Sequence, residues 1–287
     1  RKITSENNLL EIVDFLKDGF NQSDLFASKM KKYVLLRNKK INFYGFSLLK
    51  NNDLKGAILT PLQGYFKEIN RNNIPIYNLS SWYVKPESRG LPSIQHINYV
   101  TNYLSNCFIT DYTPKKDVIP ILQRLGFKSM QAVTVKKYIP SFKSLIKRDN
   151  LDFKQINGSN LENIISFNME ISNLTNVLFF SINYKNLKPI YFGGIVKYTI
   201  LKNLPIKSFY ILWNSNCDFI YKNIDQINFY LLRKLGTLCI YIYGFKKSFN
   251  QTKKNKNHFR ENNFFLKGPK DVDYITPLSS ELSIGQI

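Results

Sequence analysis

Residues 80–93, with the sequence SSWYVKPESRGLPS, have the residue types and spacing best suited to binding chemistry. A β-like run ends at Val84, a Pro-Glu-Ser-Arg-Gly turn follows, and residues 94–104 are apolar at helical spacing. The amides of such a turn and of a first helical turn point outward unpaired, and the helix dipole favours negative charge beside them. Arg89 adds a full positive charge. The segment therefore predicts an anion site suited to a pyrophosphate, with an ordinary strand–helix turn as the alternative.

A second informative segment follows along the chain. Residues 109–114 read ITDYTP, and residues 118–127 read VIPILQRLGF. Together the two segments resemble the GNAT superfamily of acyl-CoA N-acyltransferases. In that family a fourth strand leads to a V-x-P-x-x-R-G-x-G-x-G/A turn and a helix. A fifth strand follows, and a later helix ends in Leu-Gly-Phe. The matching residues are Val84, Pro86, Glu87, Arg89, Gly90, Arg124, Leu125, Gly126 and Phe127.

The resemblance covers residues 9–137 in element order and implies a function. A GNAT-like protein would move an acetyl or other acyl group from acyl-CoA to an amine or hydroxyl by direct attack on the thioester. Acetyl-CoA or another acyl-CoA is the implied co-substrate, and a small molecule, a sugar or a peptide is the implied acceptor.

The resemblance also implies where the co-substrate would lie. In the family the fourth and fifth strands separate after a bulge, and the pantetheine arm lies in the gap between them. Here these strands are residues 74–84 and 106–110. The implied binding residues are Trp82, Tyr83 and Val84 for the pantetheine, and Arg89, Gly90, Leu91, Pro92 and Ser93 for the pyrophosphate.

Three positions depart from the family pattern. Pro92 and Ile94 replace the second Gly and the Gly/Ala of the turn, and Leu122 replaces a tyrosine that serves many members as an acid. Pro92 has no amide hydrogen, so one phosphate contact is lost, although proline is tolerated at the first position of a helix. No carboxylate lies on residues 74–84 to act as a base.

Tyr112 and Asp111 are therefore the predicted catalytic pair. They follow the fifth strand, where a tyrosine hydroxyl and a carboxylate would act as acid and base near the thioester. The alternative is that Asp111, with Thr113, shapes the turn before Pro114.

Histidine and cysteine spacing predicts no metal centre. The chain has two histidines and three cysteines, with neither H-x-x-x-H nor C-x-x-C spacing. We expect His96 on a helix face and His258 in solvent. The odd number of cysteines without a pairing pattern favours a reducing compartment, and we predict a cytoplasmic protein.

The elements that must position these residues follow from periodicity. Helices are predicted at residues 5–35 with a break after Gly19, 94–104 and 114–125, and strands at residues 43–50, 56–63, 74–84, 106–110 and 129–137. This order predicts an α/β protein with a mixed, mostly antiparallel sheet flanked by helices, GNAT-like, with a second lobe of related type.

Two domains are predicted. Residues 1–140 would form a GNAT-like acyl-CoA-binding domain, and residues 150–287 a second α/β lobe of degenerate GNAT type. A polar, basic, proline-containing stretch at residues 140–150 separates them as a linker.

The net charge of +21 raises two further questions, whether the protein binds nucleic acid and whether it associates with a membrane. Only 8 of the 41 basic residues are Arg, and the abundant Lys, Asn, Ile, Phe and Tyr share A/T-rich codons, so codon bias explains much of the charge. Bidentate recognition of phosphate or guanine favours Arg, so nucleic acid is not a predicted partner. The apolar runs are shorter than the roughly 18 residues of a membrane span, and no apolar leader is seen at the start of the sequence.

Two alternatives to an acyltransferase remain open. The first is a GNAT-shaped protein that binds CoA, or nothing, and catalyses no reaction, which the missing acid and base favour. The second is a basic nucleic-acid-binding protein, which would need aromatic and basic residues interleaved on one face.

Overall fold

The computed structural model describes residues 1–38, 41, 43–66, 73–138, 151–156, 167–168, 177–185, 188–201, 204–245 and 259–269. The elements of the first half are β1 (Lys2–Ile3), α1 (Glu6–Gly19), α2 (Asp24–Asn38), β2 (Gly45–Lys50), β3 (Asp53–Leu59), β4 (Leu62–Phe66), β5 (Ile74–Asn78), β6 (Ser80–Val84), a 3-10 turn (Pro86–Ser88), α3 (Leu91–Tyr103), β7 (Phe108–Asp111), α4 (Ile119–Arg124) and β8 (Lys128–Tyr138). Those of the second half are β9 (Asp152–Ile156), β10 (Phe167–Asn168), β11 (Leu178–Asn183), β12 (Ile190–Leu201), β13 (Leu204–Asn214), α5 (Cys217–Lys222), α6 (Ile224–Leu235), β14 (Cys239–Phe245) and β15 (Phe259–Lys267).

The described strands form two sheets. A four-stranded sheet has the order β1-β2-β3-β6, and an 11-stranded sheet has the order β10-β4-β5-β7-β15-β8-β14-β13-β12-β11-β9. Among the described pairs, β5 with β7 and β13 with β14 are parallel, and the others are antiparallel. The mixed, mostly antiparallel arrangement flanked by helices confirms the predicted fold class.

The two N-terminal helices cover the four-stranded sheet because each buries one apolar face. Ser5 caps α1 by accepting a hydrogen bond from the Asn8 amide, and Leu9, Ile12, Val13 and Leu16 are its buried residues. On α2, Phe26, Met30, Tyr33 and Val34 are buried, and they join the α1 residues in one apolar cluster. The predicted helical stretch is thus two helices, with the break just after Gly19.

Strands from the two halves of the chain share the large sheet. β8, the last described strand before residue 139, pairs with β14. β15, from the end of the described chain, pairs with both β7 and β8 and so lies between them. The described strands therefore do not divide into one sheet for each predicted domain. The division at residues 140–150 stays a prediction, because that stretch lies outside the described residues.

The second half repeats one feature of the first. In the first half, the connection between the parallel strands β5 and β7 contains β6 and helix α3. In the second half, α5 and α6 connect the parallel strands β13 and β14. Parallel neighbours need such a crossover connection. Each half therefore contains a strand–helix–parallel strand unit, as expected if the second lobe is of related type.

We expect β15 to couple the stability of the two halves. Phe265 on β15 is 1% exposed and belongs to an apolar cluster otherwise built from first-half residues, such as Phe46 and Ile97. Phe265→Ala should lower the free energy of unfolding by about 3–5 kcal/mol, measured by denaturant titration. Tyr198→Ala, at a position that is 67% exposed, should change it by less than about 0.5 kcal/mol. Equal effects of the two variants would contradict the structural role of β15.

Candidate functional site

Two strands separate at the centre of the first half. β5 and β7 run parallel through the pairs Ile76–Phe108, Tyr77–Ile109 and Asn78–Thr110. The Leu79 amide then donates a hydrogen bond of 2.7 Å to the Thr110 carbonyl. Beyond Leu79 the chain continues as β6, which pairs with β3 in the other sheet. Residues 74–84 were predicted as a single strand, but they form two, because the chain changes its pairing partner at Leu79.

A β-bulge lies directly after this crossing. Ser80 pairs with Leu59 and Tyr83 pairs with Ala57, so Ser81 and Trp82 together oppose the single residue Ile58. Ser81 has a φ of +54°, which lies in the left-handed region. A bulge bends its strand and re-aims the neighbouring side chains. The predicted bulge and the predicted separation of the two strands are therefore both present.

Buried polar groups hold the crossing in place. The Thr110 hydroxyl shares its one hydrogen between two acceptors, the Tyr77 carbonyl at 3.3 Å and Asn78 Oδ1 at 3.1 Å. Asn38, which is fully buried, accepts from the Leu62 amide at 3.0 Å and donates to the Thr60 carbonyl at 3.2 Å. Paired buried polar groups fix one arrangement, because breaking them leaves unsatisfied groups in the interior.

A cavity of about 510 Å³ lies at the bulge and the separated strands. Its lining comes from four places: the α1–α2 region, the bulge, the segment from Asp111 to α4, and strand β12 of the second half. The lining residues are Phe20, Gln22, Phe26, Met30, Ile58, Leu79, Ser80, Ser81, Trp82, Asp111, Thr113, Pro114, Lys115, Val118, Leu122 and Lys197. A largely apolar cavity with a few polar groups is the usual form of a small-molecule site.

Trp82 offers an unused hydrogen-bond donor at this cavity. Its indole Nε1 is buried and has no acceptor within the described part of the chain, although the residue lines the cavity. Buried donors are normally satisfied, so this unsatisfied one, in a residue that lines the cavity, is a candidate donor to a carbonyl or phosphoryl oxygen of a ligand.

The predicted anion site has the expected backbone. Gly90 is the N-cap residue of helix α3, and it has a φ of +88° and a ψ of −132°. A Cβ here would meet no atom within 4 Å, so glycine is required by its backbone conformation and not by space. The Arg89 amide already donates to the Pro86 carbonyl at 3.2 Å, and Pro92 has no amide hydrogen. The amides of Gly90, Leu91 and Ser93 are therefore the donors left at this helix start.

The side chain of Arg89 is fixed by contacts with the end of β6. Its Nε donates to the Val84 carbonyl at 3.1 Å, and its guanidinium lies 5.9 Å from the centroid of the Tyr83 ring. Phe15 and Phe20 pack edge-on against the same ring at 5.5 and 5.4 Å. The positive charge thus lies at the end of β6, in an exposed residue that directly precedes Gly90.

The two residues of the predicted catalytic pair differ in their position, because only Asp111 lines the cavity. Asp111 and Thr113 line the cavity, whereas Tyr112, between them, is not among the lining residues. The Tyr112 hydroxyl lies 3.5 Å from Gln63 Oε1, and its ring packs on Phe264 at 5.1 Å. Asp111 Oδ1 accepts from the Thr113 amide at 3.1 Å, as in the turn-shaping alternative. The catalytic roles of both residues stay predictions.

Two functional candidates were missed by sequence reasoning. Asn38 holds the connection between β3 and β4 through Leu62, which lies 24 residues further along the chain, and Lys197 reaches the cavity from the second half. Neither lies in a recognisable motif, and no local signal could have identified them, because their importance comes from long-range packing.

The histidine in α3 has an unusual environment. His96 is 5% exposed, and neither ring nitrogen has a hydrogen-bond partner among the described residues. Burial, which penalises the charged form, lowers the pKa of His96 to about 4. It does not line the cavity, and it is buried, not merely on a helix face as predicted. His258 lies outside the described residues.

Other site types find no support in the described chain. No group of three or more His, Cys, Asp or Glu side chains that could hold a metal ion lies among the described residues. No described helix is both long and apolar enough to cross a bilayer.

Solved structures share this fold. The GCN5-related N-acetyltransferase from Anabaena variabilis ATCC 29413 aligns with a TM-score of 0.61 and 11% identity, over 93% of this chain and 72% of that chain. The GCN5-related N-acetyltransferase from Kribbella flavida aligns with a TM-score of 0.60 and 7% identity, over 93% and 70%. A conserved protein of unknown function from Enterococcus faecalis V583, described as a probable N-acyltransferase, aligns with a TM-score of 0.57 and 11% identity, over 93% and 71%. No family model and no curated protein matches the sequence.

His96 makes a testable contribution to pH-dependent stability. Its pKa is lower in the folded protein than the value of 6.5 expected when unfolded, so the unfolded chain binds the proton more readily. The contribution of neutral His96 to the free energy of unfolding is therefore fully present above about pH 6.5, and it is lost as the pH decreases toward 4. Between pH 7 and pH 4.5, His96→Leu should lose about 2 kcal/mol less free energy of unfolding than the wild type.

The matched control is Thr101→Val, which changes a fully buried, non-titrating residue of the same helix. Its pH dependence should follow that of the wild type in denaturant titrations at each pH. If His96→Leu also follows the wild type, His96 is not the titrating group.

Proposed function

We propose, because the chain has the fold of the GCN5-related N-acetyltransferases, that it transfers an acyl group from acyl-CoA to an amine or hydroxyl acceptor. The observation that carries the proposal is the cavity at the β6 bulge, where β6 and β7 have separated. In the described chain β6 pairs on one side with β3, and its other edge has no strand beside it. An extended chain of amides can pair with such an edge as an added strand would.

The pantetheine arm of acyl-CoA suits this edge. Its two amide groups alternate donors and acceptors, as a peptide does, and the contact would fall on Trp82, Tyr83 and Val84. The free Nε1 of Trp82 supports the fit, since it supplies a donor that no described residue uses. Backbone amides at the bulge would polarise the thioester carbonyl, and preorganised donors of this kind stabilise the developing oxyanion.

The start of α3 suits the pyrophosphate. The unpaired amides of Gly90, Leu91 and Ser93 combine with the helix dipole and with the charge of Arg89. Ser93 adds order to this turn, because its hydroxyl donates to the Gly90 carbonyl at 2.7 Å. Pro92 removes one donor but supports the helix start, so we propose that binding is retained with fewer contacts.

The acceptor would enter from the side of α1 and α2. Phe20, Phe26 and Met30 give the cavity an apolar wall there, and Gln22 adds a polar group. Holding the acceptor and the thioester in one cavity converts a bimolecular reaction into an effectively unimolecular one. We propose direct attack, in which the acceptor nitrogen or oxygen bonds to the acyl carbon as the thiolate leaves.

A CoA-binding protein without catalysis is the second candidate. Leu122 lines the cavity where many family members have a tyrosine, and the Tyr112 hydroxyl lies beside Gln63, away from the lining. Both observations favour this candidate, and a turnover measurement separates it from an acyltransferase.

Calorimetry with acetyl-CoA tests the binding site. Arg89→Glu should raise the dissociation constant at least about tenfold, which corresponds to about 1.4 kcal/mol, because it replaces an attractive charge by a repulsive one. Arg233→Glu makes the same charge change at an exposed position on α6 and should leave the affinity unchanged. If both variants bind like the wild type, the pyrophosphate does not lie at Arg89.

Release of free CoA thiol tests the reaction. Wild-type protein, acetyl-CoA and a panel of amine and hydroxyl acceptors should give thiol release above the rate without protein for at least one acceptor. Binding without release over the whole panel would favour the inactive CoA-binding protein.

A further inference from the structure

Lys197 belongs to the second half of the chain, but its side chain lines the cavity of the first half. It lies on β12, paired with Ser208 of β13. The next residue, Tyr198, is 67% exposed, because neighbouring side chains on a strand point to opposite faces. The large shared sheet thus carries one amine of the second half to the site where β6 and β7 separate.

The charged and titratable groups around the Lys197 amine provide little negative charge to balance its positive charge. Lys29 on α2 repels it, and the cavity also contains Asp111 and Lys115. The Nζ of Lys197 lies 5.7 Å from the centroid of the Tyr210 ring on β13, and it forms no ion pair within the described part of the chain. Asp111 is engaged at Oδ1 by the Thr113 amide.

Burial first, and the nearby Lys29 charge second, lower the pKa of Lys197 to about 8. About a quarter of the molecules would therefore carry an unprotonated Lys197 amine at pH 7.5. A general base is most effective when its pKa lies near the working pH.

Acyl transfer to an amine needs such a group. The attacking nitrogen becomes positively charged as its bond to the acyl carbon forms, and it must lose a proton. Asp111, Lys115 and Lys197 are the titratable residues among the lining residues of the described chain. Lys197 combines a place in this lining, partial burial and the lack of a described anionic partner.

We propose that Lys197 is the general base of acyl transfer, supplied to the cavity by the second half of the chain. This inference rests on the proposed acyltransferase function. In the step, the acceptor nitrogen forms a bond to the acyl carbon and the carbon–sulfur bond breaks, with its electron pair leaving on the CoA thiolate. The acceptor proton moves to the Lys197 amine and from there to solvent, so that the amine is regenerated.

The test uses acetyl-CoA with aniline as acceptor, because an aromatic amine stays unprotonated over the pH range in which Lys197 titrates. Wild-type kcat/KM should rise with pH and reach a plateau, with a midpoint near the Lys197 pKa of about 8. Lys197→Met should lower kcat by about 100-fold or more and remove this rise. Lys197→Arg should be equally inactive, because a guanidinium stays protonated.

Lys207→Met is the matched control. Lys207 lies on the adjacent strand β13 and pairs with Tyr198, so it is on the opposite face from Lys197. It should keep the wild-type rate and pH profile. Circular dichroism and unaltered acetyl-CoA affinity by calorimetry would show that each variant is folded.

Several outcomes would overturn the inference. Activity retained in Lys197→Arg would assign a role to the charge, and a higher KM at unchanged kcat in Lys197→Met would assign a role in acceptor binding. Acetylation of Lys197 itself, seen by mass spectrometry during turnover, would make it an acceptor. If these variants turn over normally, the inference fails and the proposed function stands. If wild-type protein binds acetyl-CoA but releases no thiol with aniline, with water or with any acceptor of the panel, both fail.

Discussion

The hydrogen bond from the Leu79 amide to the Thr110 carbonyl is the last link between two strands that then separate. Every feature of the candidate site depends on this point. Before it, β5 and β7 are parallel neighbours; after it, β6 joins the other sheet through a bulge at Ser81 and Trp82. A sheet that stayed paired would have no gap and no free edge. The site therefore arises from a local interruption of pairing. The buried Thr110 hydroxyl holds β7 against β5 there, and buried Asn38 holds the adjacent connection between β3 and β4.

The second half of the chain has a part in the same architecture. Its strand β15 lies between β7 and β8, and its strand β12 carries Lys197 to the cavity. It also repeats the pattern of the first half. The β12–β13 pairing contains a bulge that places Leu212 out of register, and the parallel pairing of β13 with β14 ends one residue earlier, at Ile211. The same physical device thus occurs twice, and the cavity described above lies at the first of the two.

The local parts of the site were predictable from sequence and the long-range parts were not. The turn at residues 86–90 and the helix end at Gly126 were predicted, because proline, and glycine at a positive φ such as the +83° of Gly126, signal these conformations locally. The change of partner at Leu79 was not, since residues 74–84 have one continuous β-like pattern that does not specify which strand lies beside them. The positions of β15 and Lys197 depend on pairings between residues more than a hundred positions apart, which single-sequence patterns do not encode.

Amide hydrogen exchange with and without saturating CoA tests the central claim most directly, because it reads the free edge of β6 residue by residue. If the separated strands and the start of α3 bind CoA, exchange should slow at residues 80–84 and at residues 90, 91 and 93, and it should stay unchanged on β14. The contrary result is exchange that slows only outside these two stretches, at a CoA concentration where calorimetry shows saturation. CoA would then bind elsewhere, and the account would be wrong.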